Sequence, residues 1–189
     1  MCASLAAHRT TLVVLVTLLA LTAAPASAES VKFLGLAFPE TIGGAQRGVP
    51  HDFESEAPGL GYSVKYRAAG WFIDVYVYDL RRQAIPSEAT SEPVKAQLVQ
   101  ATDDVQHRPT ATDIKITRRY ELSDQNARVR FLCTSFNYKD RDTPVDSYLC
   151  VTSWQNKFVK FRLSRRSQAG SDIWANHFVR SWMPVLWPS

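Results

Sequence analysis

From Asp113 to Ser164 the chain reads as four consecutive strands: Asp113 to Leu122, Ala127 to Tyr138, Val145 to Trp154 and Lys157 to Ser164. Only short polar turns separate them, at 123–126, around Asp142 and at Gln155-Asn156. Strands joined so closely pair antiparallel. Placing Trp154 opposite Lys157 aligns Cys150 with Phe161, Thr152 with Val159 and Tyr148 with Leu163. One face then carries Val129, Phe131, Cys133, Tyr148, Cys150, Val159, Phe161 and Leu163. The other carries Leu132, Phe136, Tyr138, Val145, Leu149, Val151 and Phe158 beside Lys160 and Arg162. A sheet with one wet side alternates cleanly between apolar and polar residues, and this one does not, so both faces need cover.

Two amphipathic segments supply it. Ser91, Glu92 and Pro93 form a helix start, with a capping hydroxyl, an acid in the first turn and a proline where its missing N–H is harmless. Val94, Leu98, Ala101 and Val105 then recur as one apolar stripe to about His107, and Arg108-Pro109 ends the helix. Near the C-terminus Ser171 caps a second helix with Asp172 in its first turn, on which Trp174, Phe178 and Trp182 repeat every four residues until Pro184. Ahead of the first helix, Tyr62 to Ala68 and Trp71 to Leu80 read as a hairpin turning at Ala69-Gly70. Its register sets Tyr62, Val64 and Tyr66 opposite Val77, Val75 and Ile73, and Lys65 opposite Asp74. Val31 to Leu60 lacks regular pattern. Phe33, Leu34, Leu36 and Phe38 add at most one strand, and the remainder is expected to wrap the sheet as a long loop, a site candidate by exclusion. These elements make an α+β fold, an antiparallel β-sheet with helices on both faces, an α/β/α sandwich.

The first twenty-eight residues carry the marks of a cleaved export signal: Arg9, an apolar run from Leu12 to Leu21, and Ala26-Ser27-Ala28 as the small-residue cleavage site. The run is shorter than the roughly twenty residues a membrane span needs. Glu29 to Ser189 is then expected as a single α+β domain in the periplasm or secreted, with no transmembrane segment. In an oxidising compartment Cys133 and Cys150 face one another across the turn at 140–144, a geometry that permits a cross-strand disulfide. A redox-active pair would come instead as Cys-x-x-Cys at a helix start.

A formal net charge of +4 is too small to suggest a nucleic-acid partner, and export removes the chain from cytoplasmic nucleic acid. Motifs for catalysis, metal and phosphate binding do not emerge. His51, His107 and His177 stand apart from one another without zinc spacing. Gly61-Tyr62-Ser63-Val64 lacks the second glycine of a hydrolase elbow, and Gly43-Gly44 with Gly48 lacks the Lys-Ser/Thr of a phosphate loop. Asp103-Asp104 and the pair Asp140, Asp142 are ordinary helix-surface and turn acids. Two basic clusters remain. Lys157, Lys160, Arg162, Arg165 and Arg166 form a candidate binding patch, and Arg118, Arg119, Arg128 and Arg130 would extend it if the strands were neighbours. Five Trp and seven Tyr add surfaces on which sugars or proteins can stack.

The phrases Pro58-Gly59-Leu60-Gly61-Tyr62-Ser63-Val64-Lys65-Tyr66, Val75-Tyr76-Val77-Tyr78-Asp79, Ile85-Pro86 and Lys157-Phe158-Val159-Lys160-Phe161-Arg162 resemble an uncharacterised family of secreted proteobacterial proteins. The order of elements is similar to the α/β/α sandwich of PsbP-like domains, whose role in supporting larger assemblies is an analogy only. No functional residue carries over from either resemblance. The expected function is a non-catalytic periplasmic module that binds an envelope protein, glycan or lipid through a basic and aromatic surface, without cofactor or metal. The rival is a hydrolase acting on an envelope substrate, with a site assembled from His51, Asp52, Asp74 and Tyr76. A third reading is a small-molecule binder with a pocket between sheet and helix.

Overall fold

A computed structural model describes residues 30–188, so the expected signal at 1–28 lies outside the described residues. A short hairpin, β1 (Val31–Phe33) and β2 (Leu36–Phe38), pairs with itself. β3 (Thr41–Ile42), β4 (Ala45–Asp52), β5 (Tyr62–Ala68) and β6 (Trp71–Tyr78) follow as successive antiparallel neighbours. α1 (Glu92–Gln106) then carries the chain to the far edge of the sheet. There β7 (Ala111–Ser123), β8 (Val129–Asp140), β9 (Thr143–Trp154) and β10 (Lys157–Arg166) run back as a meander until β10 docks against β6. α2 (Ser171–Ser181) and the single turn α3 (Met183–Leu186) follow. The eight-stranded sheet has the order β3-β4-β5-β6-β10-β9-β8-β7 and is antiparallel throughout.

The expected registers hold: Lys65 pairs with Asp74, Trp154 with Lys157, and Cys133 with Cys150. Turn chemistry explains the meander. Arg141 and Asp142, and again Gln155 and Asn156, all take positive φ, the pair of left-handed residues that a two-residue hairpin with the sheet's own twist requires. The cysteine sulfurs lie 2.09 Å apart in a disulfide that ties β8 to β9.

Both faces are covered, as the absence of alternation requires. On one, Val94, Ala101 and Val105 of α1 pack onto Leu132, Phe136, Leu149, Val151 and Phe158. On the other, Ala175, Phe178, Val179 and Trp182 of α2 and its exit close over the cystine, Val159, Phe161 and Leu163. Trp182 is fully buried, and its ring meets Phe38, Tyr66 and Phe161 edge-on at 5.6, 5.7 and 5.5 Å. Full burial of so large a ring contributes at least the ~1.5–3 kcal/mol expected of a core side chain.

The N-terminal segment departs from expectation. Instead of one strand and a long wrapping loop, it holds four strands, and β4 extends the main sheet beyond β5. Its pattern is obscured because Gly48 and Pro50 interrupt the alternation at a register shift between Arg47 and Pro50. Two caps also differ. Ser91 occupies the N-cap of α1 but its hydroxyl makes no capping bond, and Gly170, not Ser171, is the N-cap of α2, at φ 76°. Ser171 Oγ donates to the Gln168 carbonyl instead.

Candidate functional site

α1 packs on β8 and β9 and stops short of the other half of its face. The strip left uncovered runs over β5, β6 and β10, and the period of two brings Lys65 and Arg67, then Phe72, Asp74 and Tyr76, then Arg162 and Ser164 to it. Arg108 and Thr110 beyond α1, with the β8–β9 turn at 140–143, close one end. The result is a groove of about 790 Å3, a size suited to a small ligand or a short stretch of polymer.

Asp74 is its centre. Lys65 stands directly across from it on β5 and Arg162 directly across on β10, so one carboxylate lies in a row between two cations. Neither closes an ion pair with it among the described residues. Burial pushes the Asp74 carboxyl above the ordinary aspartate range, and Lys65, Arg67, Arg162 and Lys160 draw it back part of the way. Arg162 Nε and Nη2 are shielded from solvent and meet no acceptor. Arg67 is anchored by its Nη1, which donates to the Tyr66 carbonyl at 3.1 Å, and its guanidinium lies 4.8 Å over the Phe72 ring. Phe72 is 58 % exposed, the largest exposed aromatic surface along this strip.

Seven cations line the groove against two carboxylates: Lys65 and Arg67 from β5, Arg162, Arg165 and Arg166 from β10, and Arg108 and Arg141 from the flanking turns, against Asp74 and Asp140. Arg108 pairs with Asp140 at 3.5 Å. That leaves a large positive excess around Asp74, and guanidinium donors arranged this way favour carboxylate or phosphate groups.

The sequence-derived patch is therefore split. Arg162, Arg165 and Arg166 border the groove, although Arg165 also lies 4.9 Å over the Trp71 ring on the opposite face. Lys160 shares the groove's face but sits inward, its Nζ 4.5 Å from the Tyr76 ring centre and 5.5 Å from that of Tyr78. Burial pushes its ammonium below the ordinary lysine value. Lys157 is at the far end of β10, opposite Trp154, on the face of the cystine. The arginines of β7 and of the β8 start do not join the patch, because β8 and β9 stand between β7 and β10. Arg130 pairs with Asp124 at 2.7 Å and covers Trp187.

Of the residues of the rival catalytic reading, Asp74 and Tyr76 line the groove, while His51 and Asp52 make contacts of their own on β4. His51 Nε2 meets Glu56 Oε1 at 2.9 Å in an exposed pair, while Asp52 Oδ1 accepts the Ser55 N–H in a turn. His51 packs on Phe53, and Phe53 stacks on Tyr76, whose hydroxyl is pushed up to about 12 by burial and by Asp74. Among the described residues no group of three or more His, Cys, Asp or Glu side chains is placed to hold a metal ion. No helix among them is long and apolar enough to cross a membrane. Lys65, Arg67, Phe72, Arg108 and Arg141 are site residues that the sequence does not single out. The hairpin face that carries Lys65, Arg67 and Phe72 is legible in it, but not its meeting with β10 or with the turns that hold Arg108 and Arg141.

No family model and no curated protein matches the chain. Among solved structures it is similar to the cyanobacterial PsbP protein CyanoP from Synechocystis sp. PCC 6803, at 12 % identity over 77 % of this chain and 83 % of that one, with a TM-score of 0.48.

Proposed function

We propose that this chain is a non-catalytic periplasmic module that binds an anionic component of the cell envelope in the groove over β5, β6 and β10. The observation that carries the reading is Arg162, a guanidinium with two nitrogens, Nε and Nη2, withdrawn from solvent and without an acceptor, set among further cations in an open groove. Unpaired buried donors cost about 1–3 kcal/mol each, a cost relieved when the guanidinium turns to meet an incoming carboxylate or phosphate. The cystine suits an oxidising compartment, in keeping with an exported chain.

The test is affinity capture of the tagged protein from periplasmic extract, wild type beside an Arg67→Gln/Arg162→Gln variant, with bound material identified by mass spectrometry. The wild type is expected to retain an anionic envelope component that the variant loses. Retention of the same material by both proteins, or of no anionic material by the wild type, removes the reading.

A further inference from the structure

We infer that the ligand of this groove is an anionic sugar, held by Arg162 at its acidic group, by Asp74 at its hydroxyls and by Phe72 at its ring face. The inference rests on the anion-binding reading and names the chemical class. Its starting point is that Asp74 is out of place in a plain anion site. A carboxylate at the centre of the groove repels an incoming anion, and Lys65 and Arg162 on either side of it do not close onto it. An ionised carboxylate can only accept hydrogen bonds. Hydroxyl, amide N–H and ammonium groups can donate to it, and the cations around Asp74 disfavour ammonium. Of the neutral donors, the adjacent hydroxyls of a sugar offer two side by side.

Phe72 supplies the third element. It lies on the same face of β6 as Asp74, two residues away, and so about 6.7 Å along the strand. That is on the order of the span of one pyranose ring, so a sugar packed against the exposed part of Phe72, beside the Arg67 guanidinium that already lies 4.8 Å over the ring, reaches Asp74 with adjacent hydroxyls. Arg162, across from Asp74 on the neighbouring strand, stands about 4.8 Å to the side, at right angles to the strand. An acidic group on that sugar or on the next one meets it there. The groove's 790 Å3 leaves room for several sugar units. A bare phosphate would use the cations and leave both Asp74 and Phe72 unused.

Isothermal titration calorimetry on the full mature chain distinguishes the outcomes, with four probes: trigalacturonate, a mannose trisaccharide bearing phosphate, neutral galactotriose, and triglutamate as an anion without sugar. At least one acidic sugar is expected to bind tenfold or more tighter than triglutamate and galactotriose, and which one does so separates carboxylate from phosphate as the acidic group. Asp74→Asn is expected to weaken that sugar by about tenfold, as loss of hydrogen bonds to a charged group does, while leaving triglutamate unchanged or tighter. Phe72→Ala, at an exposed position, is expected to weaken the sugar and not triglutamate. Triglutamate or galactotriose binding as tightly as both acidic sugars overturns the inference, and so does Asp74→Asn tightening the acidic sugar. In the case of triglutamate the anion-binding reading survives. Failure of all three anionic probes removes both.

Discussion

Arg162 stands directly opposite Asp74 on the adjacent strand, and the two do not form an ion pair. Instead Arg162 keeps two nitrogens, Nε and Nη2, buried and unbonded. A site held ready in this way sacrifices stability for binding. Arg162→Met keeps the length of the stem and removes the orphaned donors, so it is expected to raise unfolding free energy by about 1 kcal/mol while abolishing anion binding. Urea denaturation read beside calorimetry checks both halves, and a destabilised variant contradicts the account.

The raised Asp74 carboxyl gives a pH dependence of definite sign. Because the folded state holds this proton to higher pH than the unfolded chain, the favourable contribution is full below the ordinary value of 3.8 and is lost as pH rises through the raised folded value. Asp74→Asn does not titrate. Its stability relative to wild type is expected to climb across that window and then level off, in urea titrations at a series of pH values; a difference constant with pH would show the assignment to be wrong.

The Cys133–Cys150 bond closes a separation of 17 residues between strands that are already paired. In the chain-entropy model a loop of this size is worth about 3 kcal/mol. The Cys133→Ala/Cys150→Ala double variant is expected to lose about that much in urea unfolding. The third cysteine, Cys2, lies within the expected export signal, so protein isolated from its native compartment after signal removal is expected to show no alkylatable thiol in intact-mass analysis.

Gly61 and Gly44 both take positive φ, at 65° and 78°, but their surroundings differ. A Cβ on Gly61 would collide with the Val77 carbonyl oxygen, whereas one on Gly44 meets nothing within 4 Å. Gly61 is also fixed by its N–H, which donates to Glu54 Oε2 at 2.8 Å. Gly44→Ala is expected to cost about 1–2 kcal/mol for the left-handed backbone alone. Gly61→Ala is expected to cost well beyond that, more than about 4 kcal/mol, visible as a much larger fall in melting temperature.

The residues by themselves determined the local architecture of this chain: the hairpin registers from Tyr62 to Leu80 and from Ala127 to Ser164, the facing cysteines, the stripes of both helices and the need for cover on two sides. All of these follow from periodicity, turn chemistry and the apolar character of neighbouring positions, which act over short stretches of chain. β4 was hidden because Gly48 and Pro50 break the only pattern that announces a strand. The groove was hidden for a different reason. Lys65, Arg67, Phe72 and Asp74 come from one hairpin and Arg162 and Arg166 from a strand far along the chain, and only the docking of β10 against β6 brings them together. That pairing, and the end of α1 that leaves the strip open, are decided by long-range packing of the whole sheet, to which no local spacing of residues corresponds.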